Sequence, residues 1–218
     1  MQISVNTINV LKNFSSINPS IIINEGNVIE TISNMKTVKA KAKVDTTFPR
    51  RFAMYNLNKL ISILSLYDNA DVRFEDNNLV ISDGDNKITN LTYSDESTII
   101  KPPKTINLPS VDVSVSVTNE NIKDVEKALG VLSVRNIIIS GDGEFVYLQA
   151  ADGGNPSGDV YSIKLGMSEK KFKAVFKAEN IKVLPGNYTI EISSKGISRF
   201  YNDDVEYFIA VESELSKF

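Results

Sequence analysis

The sequence predicts an α+β chain: two similar domains of antiparallel sheet carrying four small helices in all. Three observations lead there. Across residues 55–93 the apolar period is first helical, at Leu57, Leu60, Ile61 and Leu64, and then two, at Val72 and Phe74, Leu79 and Ile81, and Ile88 and Leu91. A comparable unit returns across residues 176–211, where 178–184 reads as a short helix stopped by Pro185-Gly186 and followed by alternating strands. Between the two, the pattern lapses over a stretch with three prolines, Pro102, Pro103 and Pro109. A chain of 218 residues then divides most simply into a domain at 1–95, a connector at 96–109 and a domain at 110–218.

Taken in order, residues 2–4 suggest a short strand and 6–17 a helix. In that helix Val5, Ile8, Leu11, Phe14 and Ile17 share one face, and Asn9, Lys12, Asn13 and Ser16 the other. Pro19 ends it. Strands follow at 21–23, 28–33 and 38–44, the last with Lys39, Lys41 and Lys43 at every second position, the pattern of a solvated sheet face. After a corner at 48–51 and a strand at 52–55 comes a second helix. Its Asn58, Ser62 and Ser65 form a narrow stripe of short polar side chains beside Lys59. Turns at 76–78 and 83–86 separate the strands of the meander.

In the connector, Pro102-Pro103 favours a stiff, extended backbone, yet Ile99, Ile100, Ile106 and Leu108 are more apolar than a plain linker requires. The second domain opens on strict alternation at Val111, Val113, Val115 and Val117. Thr118 or Asn119 then caps a helix with Ile122, Val125, Leu129 and Leu132 as its expected buried positions and Lys123 and Lys127 on one face, near Glu120 and Asp124. Strands are expected at 136–140, 145–150, 160–165 and 171–176, divided by Gly141-Asp142-Gly143 and a glycine-rich loop at 152–158. The tail at 212–218 is polar apart from Leu215 and Phe218 and reads as a frayed end.

Composition excludes much. With no Cys and no His, zinc sites, thiol nucleophiles, iron–sulfur clusters and every histidine-based triad are ruled out, and no cofactor is expected. Absence of disulfides suits a reducing compartment, and neither a signal peptide nor a membrane-spanning run is visible, so the expectation is a soluble intracellular protein. The formal charge is −3, and ten basic and eleven acidic groups in residues 1–100 leave fourteen and sixteen in the rest. Neither half is a basic module, so any nucleic-acid surface must be a local face on an acidic body.

Three long segments carry a resemblance: L-K-N-F-S-S-I-N at 11–18, Y-N-L-N-K-L-I-S-I-L-S-L at 55–66 and K-V-L-P-G-N-Y-T-I-E-I at 182–192. In order and spacing the chain resembles the sliding clamps of T-even-type bacteriophages, DNA polymerase processivity factors with the DNA clamp fold shared by proliferating-cell-nuclear-antigen-like clamps. The resemblance implies a homotrimeric ring in the host cytoplasm, helices lining a hole through which duplex DNA passes, and sheets outside. Its implied partners are the phage DNA polymerase, an ATP-dependent clamp loader and late-transcription factors. On this reading Lys12, Lys59, Lys123, Lys127, Lys177 and Lys182 face the DNA. A tether that lets DNA slide should avoid base-edge contacts and strong phosphate pairing, and short polar stripes with sparse lysines meet that demand. Free strand edges invite pairing with another chain, and the resemblance implies a subunit seam between the strand bearing Ile88 and Leu91 and a neighbour's strand bearing Val160 and Ile163. Hydrophobic tails of partner proteins are expected near the connector and the C-terminus, at Ile99, Ile100, Ile106, Leu108, Leu215 and Phe218.

Two other readings compete. Ser168-Glu169-Lys170-Lys171 has the S-x-x-K spacing of a serine acyl-transferase, but its companion strings are absent and it sits at a strand entry, so a turn is expected and no enzymatic activity. Asp83-Gly84-Asp85 and Gly141-Asp142-Gly143 lack the further ligands of a calcium loop and read as hairpin turns. The β-rich meander alone would also suit a phage structural or scaffolding protein.

Overall fold

In the computed structural model, Ser4 starts the first helix, α1 (Val5–Ile17), by accepting the Thr7 N–H on its Oγ at 3.0 Å. The structure describes residues 1–84, 87–155 and 157–218. Asp85 and Asn86 of the expected turn at 83–86, and Pro156 of the glycine-rich loop, lie outside the described residues. Two units are distinguished, Met1–Lys104 and Thr105–Phe218.

In the first unit α1 buries Val10, Leu11, Phe14 and Ile17 and stops at Asn18, before Pro19. Strand β1 (Ile21–Ile23) pairs with β4 (Phe52–Met54), and β2 (Gly26–Ile32) with β3 (Val38–Phe48), all antiparallel. β3 outruns the expected 38–44 because its alternation continues through the buried Thr46 and Phe48. Helix α2 (Leu57–Leu64) is capped by Asn56, whose Oδ1 accepts the Lys59 N–H, and buries Leu57, Leu60 and Leu64. A three-stranded antiparallel sheet follows, β5 (Asp71–Phe74), β6 (Asn78–Asp83) and β7 (Lys87–Thr92), in that order, leaving β7 at an edge. Phe48, Phe52, Phe74 and Tyr93 pack together with ring centroids 5.4 to 6.2 Å apart.

Two expectations about this unit are corrected. Residues 2–4 form no strand: Ser4 serves as the helix cap, and Met1 instead joins β5, its amino group donating to the Val72 carbonyl at 2.9 Å and its carbonyl accepting the Val72 N–H at 2.8 Å. Nor are the alternating lysines one solvated row. Lys41 and Lys43 are exposed, but Lys39 is 5% exposed and donates to the Pro103 carbonyl at 2.8 Å, with Glu30 at 3.7 Å.

In the second unit β8 (Val113–Val117) leads into α3 (Asn119–Leu132), which opens on a reciprocal capping box between Thr118 and Asn121 and closes on Ser133 in the left-handed region. Its buried side chains are Ile122, Val125 and Ala128, whereas the expected Leu129 and Leu132 are half-buried. Strands β9 (Asn136–Asp142), β10 (Phe145–Ala151), β11 (Tyr161–Met167) and β12 (Lys171–Lys177) form an antiparallel sheet ordered β11-β10-β9-β12. Then β13 (Tyr188–Ser193), β14 (Ile197–Tyr201) and β15 (Val205–Ala210) form a second sheet with β8, ordered β15-β14-β13-β8.

The fourth helix expected at 178–184 is a single 3-10 turn, Ala178–Asn180, so the described residues hold three α-helices rather than four. Leu184 explains why. Its N–H donates to the Tyr207 hydroxyl at 3.0 Å and its carbonyl accepts the Tyr188 hydroxyl at 2.7 Å, so two buried phenols supply the partners a helical ladder would otherwise provide. Pro185 then forbids continuation.

Candidate nucleic-acid interface and partner surfaces

The helices of the first unit turn short polar groups outward. Asn6, Asn9, Lys12 and Ser16 on α1 are exposed, as are Asn58, Lys59 and Ser62 on α2, followed by Ser65. Neither helix contains a carboxylate, so Lys12 and Lys59 act without an opposing charge on their own helix. The serines are partly occupied locally: the Oγ of Ser15, Ser16 and Ser65 donate to the carbonyls of Lys12, Asn13 and Ser62 at 2.6 to 2.7 Å. Such a face can meet a polyanion through water and a few dispersed charges.

The second unit is arranged differently. Lys123 and Lys127 are exposed on α3, but that helix also carries Glu120, Asp124 and Glu126, and Lys127 lies 3.5 Å from Asp124. Lys177 pairs with Glu212 at 3.6 Å, and Lys182, just beyond the 3-10 turn, is exposed. Solvated pairs like these hold their lysines by roughly 0–1 kcal/mol, little enough for a phosphate to compete.

Both strands expected at the seam are sheet edges. On β7, Ile88 is 59% exposed, while Leu91 is buried in its own unit and offers only backbone. Thr89 and Tyr67 join this strand to the segment after α2 through hydroxyls 2.6 Å apart, and Leu66 there is 65% exposed. On the other edge, Val160 precedes β11 and is exposed, and Ile163 is half-buried within it. Next to them Val131, 83% exposed, and Tyr161 line an apolar hollow of about 360 Å3 with Ala128 and Leu132 of α3. Leu66, Val131 and Tyr161 escaped the sequence reading. The available signal was Val131, an apolar residue off the buried face of its helix.

The connector residues separate as well. Ile99 is buried behind a 3-10 turn, Glu96–Thr98, whereas Ile100 is exposed. Arg51 grips Glu96 through two hydrogen bonds, Nε to Oε1 at 2.7 Å and Nη2 to Oε2 at 2.6 Å, and Lys101 adds a third at 3.1 Å. With Arg51 as the main cause and Lys101 assisting, the Glu96 carboxyl falls to about 2. Ile106 and Leu108 are half-buried.

The tail is ordered, correcting the expectation of a frayed end. Lys173 and Lys217 exchange both backbone hydrogen bonds, at 2.7 and 2.8 Å, the Ser216 Oγ accepts the Val175 N–H, and Leu215 packs on Ile138, Ala151 and Val175. Phe218 remains 47% exposed.

Of the residues with catalytic or ligand-like spacing, Ser168 and Asp142 close turns, and Lys171, the lysine of the S-x-x-K string, begins β12. The Ser168 Oγ accepts the Lys170 N–H, while the Lys170 ammonium donates to the Asp112 carbonyl. Asp142 accepts the N–H groups of Glu144 and Phe145, which lower its pKa, and Gly143 takes φ of 98° between them. Among the described residues no helix is long and apolar enough to cross a membrane, and no cluster of three or more acidic side chains could hold a metal ion.

Residues 4–101 match the family model described as DNA polymerase processivity factor, and residues 114–213 that described as gp45 sliding clamp, C terminal. The sliding clamp of Vibrio phage KVP40 is 31% identical over 98% of this chain and 100% of its own. This chain belongs to the sliding-clamp family. The sliding clamp of Escherichia phage RB69 is likewise 31% identical, over 98% of both chains. Among solved structures, the clamp fold is shared with the A. fulgidus proliferating cell nuclear antigen bound to the C-terminal region of FEN-1. That likeness has a TM-score of 0.70 at 13% identity over 94% of each chain. Sliding clamps and processivity factors are not enzymes.

Proposed function

We propose that three copies of this chain close into a ring that encircles duplex DNA and tethers the phage replicative polymerase to it. The observation that carries the reading is the outward face of α1 and α2: asparagines and serines with only Lys12 and Lys59 as charges, on an otherwise acidic protein. Such a face holds a polyanion weakly at many equivalent positions, which is what sliding requires. In the second unit the DNA-facing charges of this reading are Lys123, Lys127, Lys177 and Lys182.

The two edge strands support ring closure. Each ends up beside exposed apolar side chains at the C-terminal end of a helix, Leu66 and Ile88 in one unit and Val131, Val160 and Tyr161 in the other. Different patches that complement one another make head-to-tail contacts, and these close into rings when the rotation permits. Polymerase, an ATP-dependent loader and late-transcription factors then dock outside the hole through short apolar tails. Of the residues expected there, Ile100, Ile106, Leu108 and Phe218 serve that docking, at about micromolar affinity because the tail must be ordered on binding. Ile99 is buried and Leu215 packs on Ile138, Ala151 and Val175, so these two hold their own segments in place.

The test is a solution mass combined with loading on circular DNA. A species at three times 24.1 kDa that is retained on nicked circles and released when they are cut supports the ring. A monomer at micromolar concentration, or retention that survives linearisation, overturns it.

A further inference from the structure

The first part of the connector is fastened at two points, and one fastener is a buried lysine. The Lys39 ammonium sits on β3 at 5% exposure, 2.8 Å from the Pro103 carbonyl and 3.7 Å from Glu30. A charge taken out of water is costly unless hydrogen bonds replace its hydration, and an apolar side chain of similar length would fill the place without that cost. What the ammonium adds is a hold on Pro103. Pro102 and Pro103 have no N–H to give to a strand ladder, so their carbonyls are the only backbone groups by which they can be tied down. At the other end Arg51 and Lys101 hold Glu96. Between these fasteners Ile99 is 5% exposed and Ile100 is 40% exposed, one anchoring the strap and the other presented outward.

We infer that Lys39 is a positioning residue for partner docking: by fixing Pro103 it holds the strap in one conformation and presents Ile100 to a short apolar peptide. The inference rests on the connector being a docking place, as proposed above. A strap already ordered costs the incoming peptide no further chain entropy, whereas ordering even one additional residue on binding would weaken affinity about tenfold.

The experiment uses the full chain with Lys39→Met, which keeps the length of the side chain, and Glu96→Gln, which loosens the strap from its more exposed end. Lys41→Met is the control, since Lys41 lies on the same strand, 4.0 Å from Glu30, but is exposed. The probe is a synthetic peptide copied from the C-terminus of the phage's own DNA polymerase. Lys39→Met and Glu96→Gln should each speed amide exchange at Thr98 and Ile99, whose N–H groups donate to the carbonyls of Asp95 and Glu96, and raise the peptide Kd, about tenfold for Lys39→Met, while Lys41→Met changes neither. Peptide affinity that ignores both substitutions, or exchange unchanged by them, overturns the inference alone. Absence of binding to the wild-type chain overturns the docking reading and this inference with it.

Discussion

The hydroxyls of Tyr67 and Thr89 lie 2.6 Å apart and tie the segment after α2 to the edge strand β7. This link places exposed Leu66 and Ile88 in one neighbourhood, which the proposed ring sets against the Val131, Val160 and Tyr161 patch of a neighbouring copy. Ile88→Asp and Val131→Asp should therefore each give folded monomers, because both side chains face solvent in the single chain and a carboxylate at a seam goes unpaired. Analytical ultracentrifugation with circular dichroism decides. A trimer that tolerates both changes would place the seam elsewhere.

The lysines should not contribute equally to holding DNA. Lys12→Glu with Lys59→Glu should shorten retention on circular DNA more than Lys177→Glu, whose ammonium is already shared with Glu212 at 3.6 Å. Lys123→Glu with Lys127→Glu should fall between. Each phosphate left without its lysine should lower the salt dependence by about 0.9 in log–log slope. Retention half-lives across a salt series measure this, and slopes unchanged from wild type in both double variants would remove the helices from the DNA-facing side.

Two buried phenols should respond oppositely to loss of their hydroxyls. Tyr207→Phe removes the acceptor of the Leu184 N–H and should cost about 1–3 kcal/mol, a fall in Tm of roughly 2–10 °C. The Tyr93 hydroxyl is buried without a hydrogen-bond partner among the described residues, and burial pushes its pKa up, so Tyr93→Phe should be neutral or stabilising. Thermal unfolding of both variants tests the contrast.

Acid should loosen the connector before it unfolds the chain. The Glu96 carboxyl is depressed from 4.5 to about 2, so its contribution is complete above pH 4.5 and lost as pH falls toward 2. The fork is 36 to 47% exposed, and solvent screening limits that contribution to about 1 kcal/mol or less. Proteolysis of the connector by an acid protease should accelerate across this window in the wild type. In Arg51→Gln it should be fast throughout, and a wild-type rate that does not change with pH would count against the fork as a fastener.

Apolar spacing, caps and long segments in register were enough to establish the strand periodicity, two helices of the first unit, the helix after Thr118, and the family. Turn chemistry at Asp142 was legible in the sequence for the same reason: an Asp flanked by glycines satisfies its own backbone locally. What depended on distant groups was settled only in the folded chain. The helix expected at 178–184 lost to hydroxyls arriving from Tyr188 and Tyr207, and the row of alternating lysines split when Lys39 found Pro103, 64 residues away. The tail became ordered because β12 had an open edge and Ile138, Ala151 and Val175 left a place for Leu215. Periodicity says which face of an element is apolar, but it does not say which polar group from elsewhere in the chain will meet an unsatisfied donor or acceptor, and at Leu184, Lys39 and Lys173 that meeting set the outcome.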